Sequence, residues 1–140
     1  MLKAKVKWVE GLQFVGQSGT NHAIVMDGSP DYGGQNSAMR PMELLLVALG
    51  GCSGMDIASI LNKKKQDFRG IEINIRGKQA EEYPKRFTEI EVEFIIKGKK
   101  LSEEAVKRAI ELSMDKYCSV KATLEPSAKI ITSYKIVEVD

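Results

Sequence analysis

Two cysteines carry the reactive chemistry available to this chain: Cys52 and Cys118. Cys52 stands in Gly50-Gly51-Cys52-Ser53-Gly54. Glycines inside a helix cost on the order of 1 kcal/mol each relative to alanine. A helix keeps them where backbone must approach closely, or where a reactant must reach the thiol. Two readings of Cys52 follow: a small packing residue, or a thiol in a small-residue pocket open to a small substrate. Cys118 lies in Tyr117-Cys118-Ser119, so the two do not form a Cys-x-x-Cys pair. They can be joined only if the fold brings their Cα atoms within ~7 Å. In that case Cys52 would attack an oxidant and become a sulfenic acid, which Cys118 would resolve as a disulfide. Otherwise they are unrelated thiols. Asp56 follows Cys52 by one helical turn, where a carboxylate raises a thiol pKa instead of lowering it.

Other chemistries find little support. His22 is the sole histidine, and one histidine with two cysteines falls short of a zinc site, so no metal is expected. Asp27-Gly28 and Asp31 lack the spacing of a calcium loop. Gly33-Gly34 has no strand–glycine–helix context for phosphate, and there is no Gly-x-Ser-x-Gly elbow. No cofactor is implied. The formal net charge is +2, with lysine and glutamate interspersed and aromatics at 6%. That argues against a nucleic-acid footprint or an acidic membrane surface. The N-terminus alternates in place of a signal-peptide core, so a cytoplasmic location is the expectation. Thiols in a reducing compartment do not form permanent disulfides.

The elements that must position the cysteines can be read from periodicity. The 140 residues suit a single domain over 1–140. Residues 2–9 set Leu2, Ala4, Val6 and Trp8 against Lys3, Lys5 and Lys7, the pattern of a half-buried strand. Strands over 12–17 and 23–26 follow, completing a meander. Residues 27–40 form a Gly/Asp/Asn/Ser-rich loop, and long loops in compact domains often carry function. Pro41 opens a helix and Lys63, Lys64 and Lys65 close it. The helix is apolar or small on nearly every face, the mark of burial. Its apolar run from Leu44 to Leu49 is too short for a bilayer. Ile71, Ile73 and Ile75, then Thr88, Ile90, Val92, Phe94 and Ile96, mark the inner faces of two more strands. Ser102 caps a helix running to about Lys116, and Ser119 caps a short one before Pro126. A last strand covers 129–139. The order βββ-α-ββ-αα-β with short turns favours antiparallel pairing. A sheet covers one side of the long helix. A twofold partner offering the same helix would cover the other, so a homodimer is expected.

Pro41-Met-Glu-Leu-Leu-Leu-Val-Ala-Leu-Gly-Gly-Cys52 with Lys116-Tyr-Cys-Ser119 downstream resembles the OsmC/Ohr family, and within it the YhfA-type branch. The likeness runs over essentially the whole chain, from Val6-Lys-Trp-Val-Glu-Gly11 to Thr132-Ser-Tyr134. The resemblance implies an α/β (α+β) fold of the OsmC-like kind, with antiparallel sheets wrapped around long central helices in an intertwined homodimer. It also implies a thiol-dependent peroxidase with a stress-protective role. There Cys52 would be peroxidatic and Cys118 resolving, the partners being a small organic hydroperoxide and a dithiol reductant. Two departures stand out. The peroxidase members place a glutamate directly after the proline, where this chain has Met42 and carries Glu43 one residue later. They also carry an arginine in the first hairpin, absent from Glu10-Gly-Leu-Gln-Phe14. Arg40 and Glu43 are the substitutes at hand. At 1.5 Å per residue they lie ~18 and ~13 Å from their own Cys52 along one helix, so they could serve only in trans, across a dimer. The alternatives on the same scaffold are a non-peroxidase that binds a small apolar ligand in the dimer cleft, and a thioesterase using Glu43 or Asp56.

Overall fold

A computed structural model describes all residues from Met1 to Asp140. They gather into two compact units, Met1–Leu45 and Leu46–Asp140.

The first unit holds β1 (Ala4–Glu10), β2 (Gln13–Ser18) and β3 (Ala23–Met26), paired antiparallel in that order. The cross-strand partners Val6↔Gly16, Trp8↔Phe14, Phe14↔Met26 and Gly16↔Ile24 put these six residues on one face of the sheet, because side chains alternate along each strand. This is the apolar face expected from the alternation. Within the chain it is open and not half-buried: Val6, Trp8, Phe14 and Ile24 are all exposed.

The loop that follows is organised by Asp27, which is only 2% exposed. Its carboxylate accepts from the Gly28, Gln35 and Ser37 amides at 2.7, 3.2 and 3.1 Å and from the Ser37 hydroxyl at 2.7 Å. Four donors fix a segment with almost no apolar side chains, and they hold the Asp27 carboxyl down at about 2. The role of Asp27 is therefore structural. The unit ends at the helix start, where Glu43 accepts from the Arg40 amide at 2.8 Å and pairs with the Arg40 guanidinium at 3.4 Å.

The second unit is built on the sheet β4 (Asp67–Gln79), β5 (Phe87–Lys99) and β6 (Lys129–Glu138), in that order. Ile90, Val92, Phe94 and Ile96 on β5 are at most 1% exposed, and burying each stabilises by roughly 1.5–3 kcal/mol. Two expectations are corrected here. Thr88 faces outward and Phe87 takes the buried place, because a register shift at Gln79↔Phe87 offsets the strand end by one residue. β6 pairs with β5 in parallel, not antiparallel. The helices between them form a crossover connection, and a crossover returns the chain in the same direction.

Helix α1 (Pro41–Lys63) buries Leu49, Ser53, Ile57 and Leu61, one residue per turn. Gly50 and Gly54 explain themselves by close approach. A Cβ on Gly50 would stand 2.9 Å from Ile75 Cδ1, and one on Gly54 3.1 Å from Ile73 Cδ1. The opposite side, with Val47 and Met55, is open. By length and composition this helix could cross a membrane, with a mean hydropathy of 1.9. The six-residue run from Leu44 to Leu49 understates it, because Met55, Ile57, Ile60 and Leu61 continue the apolar character beyond the small residues at 50–54. Its buried stripe and its seating on β4 are those of a helix lying on a sheet.

Candidate redox site

Helix α2 (Glu103–Leu112) begins as expected, with Ser102 Oγ accepting from the Ala105 amide at 3.2 Å. It buries Ala105, Val106, Ala109 and Ile110. Beyond Leu112 the helix widens into a single π turn, Ser113–Tyr117, closed by the Cys118 amide donating to the Ser113 carbonyl at 2.7 Å. In an α-helix a residue five positions on lies ~140° around the axis. The wider turn brings it nearly beneath its starting point. Cys118 is consequently buried alongside Ser113, and Met114, one turn on from Ile110, is buried as well. Cys118 then takes an extended backbone (φ −72°, ψ 98°) and caps α3 (Ser119–Leu124), its Sγ accepting from the Lys121 amide at 3.4 Å. The cap expected at Ser119 is thus supplied one residue earlier by a thiol.

Cys52 meets this junction from α1. The Cys52 and Cys118 sulfurs and a carboxylate oxygen of Asp56 lie within 4.8 Å of one another. The spacing of four places Cys52 and Asp56 on one side of the helix, a turn apart. Cys118 is buried, and Cys52 and Asp56 are partly exposed. Asp56 Oδ2 accepts from the Ser113 hydroxyl at 2.8 Å, which orients the carboxylate. Burial pushes the Cys118 thiol up to about 11. The Lys121 amide opposes that shift, while the neighbouring Cys52 thiol and the Asp56 charge add to it. The pair can close a bond between its sulfurs, and Asp56 is the charged group set against it.

The structure thus brings Cys52, Cys118 and Asp56 together. Arg40 and Glu43 are engaged with each other at the exposed start of the helix, and the Arg40 backbone amide, with help from its guanidinium, holds the Glu43 carboxyl below its ordinary range. His22 is on the surface between β2 and β3. Ser113 is the site residue that sequence reasoning passes over. Its signal is a polar residue continuing the stripe of Val106 and Ile110, where a buried hydroxyl must find a partner.

A groove of about 390 Å³ runs beside Asp56, lined by Ile60, Lys63, Leu112 and Tyr117 among others.

Residues 34–133 match the family model described as OsmC-like protein. The chain is 45% identical to Protein YhfA of Escherichia coli K12 over 136 residues, covering 97% of this chain and 98% of that protein. Its structure is similar to the crystal structure of a hypothetical protein from Aquifex aeolicus VF5, with a TM-score of 0.88 and 32% identity over 100% of this chain and 98% of that one. An organic hydroperoxide resistance protein OsmC from Legionella pneumophila shares the fold, with a TM-score of 0.70 and 13% identity over 96% of each chain.

Proposed function

Since the chain belongs to the OsmC-like protein family, in the branch of YhfA, we propose that it is a thiol-dependent peroxidase acting on organic hydroperoxides. The observation that carries this reading is the approach of the Cys52 and Cys118 sulfurs, drawn from two separate elements to within 4.8 Å. Cys52, the more accessible thiol, attacks the terminal peroxide oxygen as thiolate. The O–O bond breaks, the alcohol leaves with a proton, and Cys52 becomes a sulfenic acid. Cys118 sulfur then attacks Cys52, the S–O bond breaks, water leaves and the disulfide forms. A dithiol reductant returns both thiols. The hydroperoxide resistance activity named for the Legionella relative is in keeping with this.

The functional unit in this proposal is a homodimer. Two open apolar surfaces support it, one on the first sheet at Val6, Trp8, Phe14 and Ile24, the other on α1 at Val47 and Met55. A second copy is the cover that symmetry supplies most simply. Such a partner would also be the route by which Arg40 and Glu43 act on a thiol. Two free cysteines suit a reducing, cytoplasmic setting.

Anaerobically reduced protein mixed with a small excess of an alkyl hydroperoxide should lose both titratable thiols per chain and form an intramolecular disulfide. Survival of both thiols, or equal peroxide consumption by Cys52→Ser, would overturn the proposal. The Asp56 carboxylate disfavours thiolates and so favours the second reading, a binding protein for a small apolar ligand, which that outcome would support. Trp8 is the single tryptophan and reports on the dimer. Its emission should shift to the red on dilution below the dissociation constant, and sedimentation of a monomer at all concentrations would remove the dimer.

A further inference from the structure

The Cys52–Asp56–Cys118 cluster has a second chemical capacity. We propose that, when reduced, it binds one thiophilic divalent cation of the zinc type, and that this occupancy and the Cys52–Cys118 disulfide exclude each other. The proposal concerns the same thiol pair as the peroxidase reading but does not depend on it.

Three donors are present, and three protein ligands plus an open position make up a common zinc arrangement. With Zn–S ≈ 2.3 Å and Zn–O ≈ 2.1 Å, tetrahedral geometry sets donor separations of roughly 3.6–3.8 Å. The three donors already lie within 4.8 Å of one another, so they need close by only about 1 Å. Two of them sit one helical turn apart on α1, the spacing by which helices commonly offer paired ligands. The third comes from the rim of the π turn. The carboxylate is oriented by Ser113 Oγ at 2.8 Å, the outer-shell support that metal-ligating carboxylates characteristically have.

The donor chemistry selects the cation. Two sulfurs and one carboxylate are too soft a set for magnesium or calcium, which take oxygen ligands. Buried Cys118 shields the site, while partly exposed Cys52 and Asp56 leave an entry path. A cation also resolves the oddity of a carboxylate beside two thiols, because a bound divalent charge reverses the local preference and holds the sulfurs as thiolates.

The steps balance. Binding releases the two thiol protons and forms two metal–sulfur bonds. Oxidation by a hydroperoxide takes two electrons from the sulfurs, breaks both metal–sulfur bonds and forms the S–S bond. It consumes two protons and yields alcohol, water and the free cation. A metal-loaded chain must therefore give up its cation to form the disulfide, and an oxidised chain cannot hold metal.

The test uses Co²⁺ as the probe on the reduced full-length protein under anaerobic conditions. One equivalent per chain should produce a thiolate-to-cobalt charge-transfer band in the near ultraviolet, which Zn²⁺ bleaches. Cys52→Ser or Cys118→Ser should abolish or sharply weaken the band. Asp56→Asn should weaken binding at least tenfold and Ser113→Ala by about tenfold, the lower end for loss of outer-shell support, with circular dichroism confirming that each variant is folded. No saturable band at one equivalent, or Asp56→Asn titrating as wild type, would overturn the proposal. Hydroperoxide oxidation measured in parallel with a chelator present separates the two readings. A disulfide without a cobalt band defeats the metal site alone, and a band without a disulfide defeats the peroxidase alone.

Discussion

Joining Cys52 to Cys118 would close a loop of 66 residues, which turns the proposed chemistry into a measurable stability change. In the chain-entropy description a cross-link of this span removes about 14–15 cal/mol/K from the unfolded ensemble, or about 4 kcal/mol at 25 °C. Sulfurs that lie within 4.8 Å must close to ~2.05 Å to bond. Cys118 follows a single π turn, and any distortion there subtracts from the gain. A net stabilisation of about 2–4 kcal/mol is therefore expected. For a domain of this size m lies at about 1–3 kcal/mol/M in urea, so the midpoint should rise by roughly 1–2 M. The assay compares urea unfolding of the reduced protein, the hydroperoxide-treated protein and treated Cys118→Ser, with thiol titration and non-reducing electrophoresis on the same samples. The treated wild type should run as an altered monomer with no free thiol, and only it should show the raised midpoint. A covalent dimer on the gel, or an intramolecular disulfide with an unchanged midpoint, would refute the idea that these two sulfurs are poised within one chain.

The thiols should differ in accessibility. Cys118 is 4% exposed and its thiol is pushed up to about 11, so brief iodoacetamide treatment near pH 8 should label Cys52 alone, with Cys118 labelled only after unfolding, as read by mass spectrometry. Asp27 has a carboxyl held at about 2, below the ordinary 3.8. Its contribution is complete above the ordinary value and is lost as pH falls from about 4 towards about 2, so the urea midpoint of wild type should drop over that window more than that of Asp27→Asn. A Cβ on Gly77 would stand 2.5 Å from Phe87 Cε1, so Gly77→Ala should lower stability by about 1–3 kcal/mol. A Cβ on Gly51 meets nothing within 4 Å of the chain itself. Gly51→Ala should therefore raise helix stability by up to about 1 kcal/mol unless a partner helix packs there, in which case it should weaken the dimer, and thermal melts at two concentrations distinguish the two.

Much of the chain was legible because its physics is local. Strand alternation at Val6 and Trp8, and again at Ile90 to Ile96, depends on a two-residue period that the sequence displays directly. Ser102 before Glu103 and Glu104 marked the start of α2, because capping is decided within one turn. Gly50 and Gly54 signalled close approach, although what they approach, Ile75 and Ile73, lies on β4. Family membership was likewise readable from the Pro41–Cys52 stretch and the second cysteine.

Other features were settled only by contacts between distant residues. The parallel pairing of β6 with β5 follows from where the crossover helices return the chain, and no local period encodes strand direction. The inward turn of Phe87 in place of Thr88 depends on a register shift against β4. The π turn after Leu112 has no sequence period of its own, yet it sets Cys118 beneath Ser113 and makes the thiol, not Ser119, the cap of α3. Cys52 and Cys118 thus return to the centre in altered form. The sequence alone determined that two thiols exist and that one sits on a small-residue helix beside an aspartate. Tertiary structure decided that both sulfurs and the Asp56 carboxylate meet within 4.8 Å, because that meeting depends on how the chain between them folds back on itself.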